Sequence, residues 1–504
     1  MRESVCVGQT LAKKVKLTEK ACEALKHRLD NNELSEDDRT LLKQILDEHF
    51  PPKQAPKCPD KKKKSPAANS TEKRKGHGRL SEEDYVGARN IDCPSRQYKP
   101  GDRCPRCGKG NLFNFTIRKA LTLLATAPIE AVRYLLEVLR CNTCGHTFED
   151  PPEETRWGKH HPSANAGVVV MRYGLGVPGY RLQTWQAHMG VPLPDATQGD
   201  MIAKAGASMR PIFDYLAHLL AQSSSLAADD TGLKVLQLLK EFKTAKKDER
   251  HGCHATCLHG KHQGHQIVLY YVGRKHSGEN IDELLQARSS KLPMPFQMGD
   301  GSACNTSHRH DTVEVFCHAH SFRKFIKAYD TNPELVDYLL HLYGQIFVND
   351  RKTKGMTDQQ RLEYHQQHSR PVMDKLRLFF NLLFEECIVE NNSSLGQAIS
   401  YVLKRWQGFS EFLCIPGVPL DNNETERLLK LAIRYRKNSG FFKTTKSARL
   451  GAMIMSILAT TAACGANPMD YITQLQIHES EVRECPQLWL PWNYRDRMAQ
   501  LAVA

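Results

Sequence analysis

The spacing of apolar residues changes along the chain and divides it into segments. Within residues 1–50 leucines recur at helical intervals, which predicts an N-terminal helical segment. Residues 51–92 have no apolar period and are rich in Pro and Lys, a composition typical of a disordered basic linker. Apolar helices return in residues 155–224, broken by a glycine-containing turn at Gly190–Pro194. A helix beginning at Asp195 fits a helix-turn-helix DNA-binding region, although a plain helical bundle explains the pattern nearly as well.

Residues 225–328 follow a strand-type pattern. Short apolar runs bounded by polar turns predict three successive strands, a helix, a fourth strand, and a fifth strand followed by a helix. The strands are predicted at residues 226–236, in the HATC segment before residue 266, and at 266–273, 296–300 and 313–317. This order is the skeleton of a ribonuclease-H-like fold.

The chain then becomes mostly helical again. Residues 329–418 read as a helical insertion, residues 419–465 as the final catalytic helix and core completion, and residues 466–504 as a C-terminal element. The predicted fold class is multidomain α/β. A ribonuclease-H-like catalytic core carries a helical insertion and is preceded by a zinc ribbon and a helical DNA-binding region.

The zinc ribbon is predicted from a cysteine module at residues 93–150. Two C-x-x-C pairs, Cys104 with Cys107 and Cys141 with Cys144, are each followed by glycine. Glycine permits the tight turn that directs two thiolates at one ion, so the four sulfurs suit structural Zn²⁺. Unpaired buried cysteines are the alternative.

Charge and cysteine usage narrow the class of protein. A net charge of +14 favours an anionic partner, of which nucleic acid is the commonest, although it can also serve solubility. Sixteen cysteines in a chain of this length suit a reducing compartment. The N-terminus lacks the apolar core of a secretory signal, and no stretch approaches a membrane span. We expect an intracellular protein without a membrane partner.

The segment from Leu420 to Phe442 contains the most informative helix. Asp421 is a suitable N-cap and Glu424 has the spacing of a capping box. Glu426 falls in the first turn of a strongly basic helix, as suits a site where metal ions meet a polyphosphate backbone. A capped surface helix with solvated charges is the alternative.

Three carboxylates occupy the places that such a fold uses for metal. Asp229 lies on the first predicted strand, Asp300 at the end of the fourth, and Glu426 on the final helix. Phosphoryl transfer on DNA uses two hard cations, and Mg²⁺ prefers a few carboxylates from separate elements. A competing zinc site is the His- and Cys-rich run from Cys253 to His265, for which a His-rich hairpin is the simpler explanation. Candidate DNA contacts are His320, Arg323, Lys324, Arg427, Arg434, Arg436 and Lys437; an ordinary basic helix face is the alternative for the first three.

Several further motifs accompany these residues in order. They are KGHGR at Lys75–Arg79, Asp229–Gly232, Asp300–Gly301, Cys317–Phe325, D-N-N-x-x-E-R at Asp421–Arg427, R-K-N at Arg436–Asn438, and Leu488–Tyr494. Together they resemble the large DDE transposase of the insertion-sequence-66 family from Lys75 onward. The resemblance implies that Asp229, Asp300 and Glu426 form a catalytic triad that binds two Mg²⁺ ions, with Mn²⁺ as a substitute. It also implies cutting and joining of DNA ends by direct transesterification, without a covalent protein–DNA intermediate.

The resemblance further implies the setting of the reaction. The partners are DNA, as terminal inverted repeats and target, a second copy of the chain on that DNA, and small accessory proteins from the same element. The location is the bacterial cytoplasm, at the nucleoid when bound to DNA. Asp230 stands where the family usually has Glu, His318 where it often has Trp, and Ser439-Gly440 where an aromatic residue is common. A catalytically silent, transposase-derived DNA-binding protein is the main alternative.

Overall fold

The computed structural model describes residues 100–103, 110–111, 128–135, 139–140, 147–148, 152–244 and 250–503. The predictions for the N-terminal segment, the basic linker and the zinc ligands Cys104, Cys107, Cys141 and Cys144 lie outside the described residues. The described residues from Pro128 onward belong to one compact unit, and those at 100–103 and 110–111 belong to another. In the latter, Arg103 and Asn111 form an antiparallel β-bridge.

A short antiparallel pair lies within the segment predicted as a zinc ribbon. Strands β1 (Leu139–Arg140) and β2 (Thr147–Phe148) pair Leu139 with Phe148 and Arg140 with Thr147. They flank the second C-x-x-C pair in sequence. The zinc site itself stays a prediction.

A mixed sheet of five strands lies at the centre of the larger unit. Its order is β5-β4-β3-β6-β7, in which β4 runs antiparallel to β3 and β5, whereas β3, β6 and β7 are parallel. The strands are β3 (Ser225–Gly232), β4 (His254–His262), β5 (His265–Gly273), β6 (Phe296–Gly299) and β7 (Val313–Phe316). All five predicted strands are therefore present. The first is shorter than predicted, because the chain turns after Gly232 and enters a helix at Leu236.

Helices pack around the sheet. In sequence they lie before β3, between the strands and after β7. Before β3 lie α1 (Pro162–Val169), α2 (Gly179–His188) and α3 (Asp195–Ala221), and between strands lie α4 (Leu236–Thr244) and α5 (Ser277–Leu285). After β7 come α6 (His318–Lys327), α7 (Pro333–Lys352), α8 (Asp358–His368), α9 (Arg370–Glu385), α10 (Ser394–Leu403) and α11 (Trp406–Ser410). The chain ends with α12 (Asn423–Ser439), α13 (Thr445–Ala463), α14 (Pro468–Ile477), α15 (Glu479–Glu484) and α16 (Tyr494–Val503). We call α7 to α11 the helical segment.

Helix α13 covers the edge of the sheet at β5. The backbone N–H groups of Val268 and Tyr270 donate to the hydroxyls of Thr460 (3.0 Å) and Ser456 (2.7 Å). Four residues of helix rise about 6 Å and two residues of strand rise about 6.6 Å. The hydroxyls of Ser456 and Thr460 are therefore spaced like the outward-facing N–H groups of Tyr270 and Val268. This arrangement satisfies backbone groups that an open edge would leave unpaired.

The two faces of the sheet contribute to different hydrophobic cores. Leu226 and Ala228 of β3 pack in one core with α1, α3, α12 and α13, whereas Ala227 packs in a second core with β6, β7 and the helical segment. This split follows from the alternation of side chains along a strand. Within the described part of the chain no single helix is long and apolar enough to span a membrane; only the bent pair α13–α14 meets that criterion, by length and composition.

Candidate active site

The first feature of the site is that Asp229 and Asp230 lie on opposite faces of β3. Asp230 Oδ1 accepts from the Thr256 hydroxyl at 2.5 Å, and its Oδ2 accepts from the Ser277 backbone N–H at 2.9 Å. His276 Nδ1 lies 3.2 Å from the same Oδ2. Asp229 Oδ1 accepts from the backbone N–H of Asp230 at 2.8 Å. Asp230 therefore ties β3 to β4 and to the start of α5, and Asp229 is the neighbour that faces the other carboxylates.

Asp300 follows the carboxyl end of β6, beside β3. The parallel register pairs Ala227 with Met298, and continuing it by two residues places Asp300 opposite Asp229. Asp300 Oδ1 accepts from the Ser302 N–H at 2.8 Å and from Asn305 Nδ2 at 3.1 Å. These bonds hold the carboxylate at the same edge of the sheet as Asp229.

The helical segment holds the turn at Asp300 by hydrogen bonds to its backbone carbonyl oxygens. The Tyr401 hydroxyl donates to the Asp300 carbonyl oxygen at 2.5 Å, and Arg405 donates to the Gly301 carbonyl oxygen at 3.2 Å. Gly301 has φ +76°, and a Cβ there would lie 2.8 Å from the Tyr401 hydroxyl. Glycine is required at this position both by the backbone conformation and by the close approach of Tyr401.

Glu426 lies in the first turn of α12, and Asn422 anchors that turn to the sheet. Asn422 is only 2% exposed. Its amide Nδ2 donates to the Ala228 carbonyl oxygen at 3.1 Å, and its backbone N–H points to Cys317 Sγ at 3.2 Å. Its Oδ1 accepts from the Thr425 hydroxyl, which is also 2.8 Å from His259 Nε2. Because Ala228 precedes Asp229, this network couples the position of Glu426 to that of the first carboxylate.

The electrostatics of Asp229 show that the three carboxylates are close. Burial is the main cause that raises the pKa of Asp229 to about 6, and the charges of Asp300 and Glu426 add to it, against the lowering effect of the Asp230 N–H. A buried carboxylate beside two others carries a negative charge that is not fully compensated. The structure therefore brings together the three residues that the sequence singled out.

The carboxylate of Glu426 is paired with a cation in this conformation. Arg323 Nη1 and Nη2 lie 3.0 and 3.3 Å from its two oxygens, and His320 Nε2 lies 3.6 Å from Oε1. Burial, and then the charge of Arg323, lower the pKa of His320. In the described ranges no group of three His, Cys, Asp or Glu side chains is arranged to hold a metal ion. The three carboxylates are thus neighbours, with Glu426 paired to Arg323.

The other predicted DNA contacts differ in their surroundings. Lys324 Nζ lies 4.3 Å from the centre of the Tyr401 ring. Arg434 donates to the Gly174 carbonyl oxygen at 2.6 Å, and Arg436 donates to the Thr231 hydroxyl at 2.8 Å. These two arginines fasten α12 to the turn before α2 and to the end of β3. Arg427 and Lys437 are exposed, and neither forms an ion pair with another described residue.

One expectation needs correction. The capping box at Asp421 and Glu424 is wrong: α12 begins at Asn423, Asp421 Oδ1 accepts from the Asn423 N–H at 3.0 Å, and Glu424 accepts from Gln266 at 3.0 Å. Burial of Asn422 against the sheet decides this start of the helix. For the run from Cys253 to His265 the simpler explanation holds, since β4 and β5 pair as an antiparallel hairpin and the described residues there form no group that could hold a metal ion.

The reason is that these residues lie along two strands and have separate partners. His259 bonds to Thr425, and burial lowers its pKa to about 4, while Cys257 is fully buried in the core. His265 stacks on Trp492 with ring centres 4.5 Å apart. His318 is a buried core aromatic side chain whose Nε2 lies 2.8 Å from the Phe409 carbonyl oxygen.

Sequence reasoning missed the residues that position the carboxylates. Asn422 and Thr425 stand inside the D-N-N-x-x-E-R motif, so their place in the motif was the available signal. Tyr401 on α10 and Arg405 in the turn after it carried no such signal, because they lie about 100 residues from Asp300 and meet its turn only through the tertiary fold.

A comparison with protein families identifies the family of this chain. A model of the IS66 family of transposases matches residues 158–450, more than half of the chain. The chain belongs to the IS66 transposase family. The matched range of this IS66-family chain contains Asp229, Asp300 and Glu426 together with the helical segment.

Two curated relatives of this IS66-family chain are proteins of Sinorhizobium fredii (strain NBRC 101917 / NGR234). Uncharacterized protein y4hP is 25% identical over 386 residues, which cover 73% of this chain and 68% of the relative. Uncharacterized protein y4qI is 21% identical over 351 residues, which cover 66% of this chain and 62% of the relative. Their names state no activity.

Proposed function

We propose that this IS66-family chain is a DDE-type transposase that cleaves and transfers DNA strands at the ends of an insertion sequence. The observation that carries the proposal is the convergence of Asp229, Asp300 and Glu426 at one edge of the sheet. These residues are far apart in sequence and come from β3, from the end of the adjacent parallel strand β6, and from α12. A chance cluster of surface charges is therefore a poor explanation for their proximity.

The strand order supports a ribonuclease-H-like core. Three antiparallel strands followed by two parallel strands, in the order β5-β4-β3-β6-β7, match the skeleton expected from the sequence. In this proposal the helical segment is an insertion between β7 with its helix and the final catalytic helix α12. The cysteines Cys104, Cys107, Cys141 and Cys144 would hold a structural Zn²⁺ in the preceding ribbon.

The three carboxylates fit a divalent metal. They offer only oxygen donors, which Mg²⁺ and Mn²⁺ prefer. Burial raises the pKa of Asp229 most, and the charges of Asp300 and Glu426, which a cation would compensate, raise it further. Asp229, Asp300 and Glu426 would hold the ions, and at least one oxygen of Glu426 would have to leave Arg323. When bound, such ions lower the pKa of an attacking hydroxyl and stabilise a leaving oxygen.

The protein residues would position the two reacting DNA groups. In cleavage, a water oxygen attacks the scissile phosphorus, the bond from phosphorus to the 3′ oxygen breaks, and the departing 3′ oxygen takes up a proton. In joining, that 3′ hydroxyl loses its proton and attacks a target phosphorus, displacing the 3′ oxygen there. No protein–DNA bond forms. The guanidinium of Arg323, freed from Glu426, would contact a phosphate oxygen, and the exposed Arg427 and Lys437 would bind the backbone beyond it.

The partners follow from this chemistry. DNA is required as terminal repeats and as target, and two copies of the chain would join two ends. Small accessory proteins of the element and a bacterial cytoplasmic location belong to the same proposal.

The test is Mg²⁺-dependent nicking and strand joining on DNA that carries the element's own ends. Glu426→Gln should abolish both reactions and leave DNA binding intact. Glu424→Gln is the matched control, since Glu424 lies on the same turn of α12 but bonds to Gln266. Cleavage that survives Glu426→Gln would refute the assignment, and binding without cleavage by every protein would favour a silent DNA-binding protein.

A further inference from the structure

A cavity of about 410 Å³ opens directly beside Asp300, where the helical segment meets the sheet. Its lining includes Gly301, Thr306, Ser307, His308, Lys404 and Arg405. Gly301 is the residue after Asp300, and Arg405 reaches its carbonyl oxygen at 3.2 Å. The cavity therefore adjoins the turn that begins at the second carboxylate.

The basic side chains here are not neutralised by neighbouring carboxylates. Lys404 is exposed at the rim, and the structure records no ion pair for it within residues 250–503. Arg405 is half-buried and, in the same range, its recorded contacts are the carbonyl oxygens of Gly301 and Tyr401 and the rings of Tyr401 (4.6 Å) and Phe316 (5.9 Å).

One acidic side chain, Glu314, also lines the cavity and is exposed. The two cationic side chains Lys404 and Arg405 outweigh this single negative charge. The hydroxyl group of Thr306 also lines the cavity and can donate to anionic oxygen, whereas the Ser307 hydroxyl already donates to Asp282 Oδ1 at 2.7 Å.

We infer that this cavity is a subsite for a DNA backbone phosphate next to the scissile one, with Lys404 and Arg405 as its binding residues. The inference rests on the proposed function, because the strand must reach Asp300. A carboxylate cluster repels DNA, so cations beside it are needed to hold the strand there. Arg405 is held in place by the Tyr401 ring and the Gly301 carbonyl, and Lys404 at the rim adds a mobile charge. On this basis the helical segment supplies one wall of the DNA-binding site.

The occupant is a polymer phosphate and not a small free anion, because the rim is open. Ala303, His308, Glu314 and Lys404 are all exposed. An open cavity with charges on one wall suits a backbone that passes through it.

The experiment measures binding of full-length protein to duplex DNA carrying the element's end, without divalent metal, over a series of salt concentrations. Lys404→Ala should weaken binding and reduce the slope of log K against log salt by about 0.9, the value for one lost phosphate contact. Lys375→Ala is the control: Lys375 is an exposed lysine of the same helical segment that does not line the cavity. It should leave the slope unchanged.

A second arm locates the phosphate. A neutral methylphosphonate placed at each position flanking the cut should weaken wild-type binding most at one position, and there Lys404→Ala should cause no further loss. Equal slopes for wild type and Lys404→Ala would overturn the inference. Losses of DNA affinity from the methylphosphonate and from Lys404→Ala that add at every position would overturn it too. So would binding of inorganic phosphate that depends on Lys404 while the salt slope of DNA binding stays unchanged. These readouts need no cleavage, so they are independent of whether Glu426→Gln confirms the proposed chemistry.

Discussion

Replacement of Asn422 by Ala should test how the start of α12 is held against the sheet. The change removes an amide that donates to Ala228 and accepts from Thr425, in a position that is 2% exposed. The Ala228 carbonyl oxygen, which lies away from water, would lose this hydrogen bond. The alanine side chain has no donor to replace it. An unsatisfied buried polar group costs about 1–3 kcal/mol, so we expect a loss of roughly 2 kcal/mol in the free energy of unfolding.

Asn423→Ala is the control, because the two asparagines are adjacent in one motif and differ in their contacts. The Asn423 side chain bonds to Asp421 Oδ2 at 2.7 Å and is half-buried. Its loss should cost less than about 1 kcal/mol, as for an ordinary hydrogen bond near the surface. Urea unfolding followed by tryptophan fluorescence would compare the two variants. Strand cleavage measured in parallel should fall more in Asn422→Ala, since Glu426 follows Asn422 by one helical turn.

Equal losses of stability in both variants would refute this reasoning. So would an Asn422→Ala protein with wild-type stability and cleavage, because the network to Ala228 would then have no role in placing Glu426.

Three further predictions concern the site. Without metal, Asp229→Asn should raise the free energy of unfolding at pH 7 by up to about 3 kcal/mol. The pKa of Asp229, about 6, lies above the ordinary value of an aspartate, so its charged form is unfavourable in the folded protein above pH 6. Urea unfolding should show this gain vanish as the pH falls toward 4. Asp230→Asn should instead destabilise by about 1–3 kcal/mol in the same assay, because its new amide would face the donors Thr256 and Ser277; a gain would contradict the assigned bonds. Tyr401→Phe should raise the Mg²⁺ concentration needed for half-maximal cleavage and leave DNA affinity unchanged, since only the bond to the Asp300 carbonyl is lost; a change in affinity alone would contradict a positioning role.

Much of the secondary structure could be predicted because it depends on local pattern. The run QIVLYYVG becomes β5, and the glycine-containing turn before Asp195 ends where α3 begins. The three carboxylates were also predictable, since strand order places Asp229 and Asp300 at the same edge and Glu426 lies in the first turn of a helix. The family motifs strengthened each of these assignments.

Other features could not be predicted from local pattern. The choice between Asp229 and Asp230 depends on which face of β3 meets α5, and a sequence does not state the face. His259 looked like a metal ligand because its neighbours are Cys and His, yet alternation and packing turn it toward Thr425. Arg434 and Arg436 stay predicted phosphate contacts, and local pattern gave no sign that they also donate to carbonyl oxygens more than 200 residues away in sequence.

By itself, then, the sequence predicted most of the described strands and helices and the elements that place Asp229, Asp300 and Glu426, because periodicity and turn chemistry act over a few neighbouring positions. Only the tertiary structure decided which carboxylate faces the site, that Arg323 holds Glu426, and that Tyr401 and Arg405 support Asp300. Those contacts join residues from about 100 to more than 190 positions apart, and they exist only once the chain has buried both faces of its sheet.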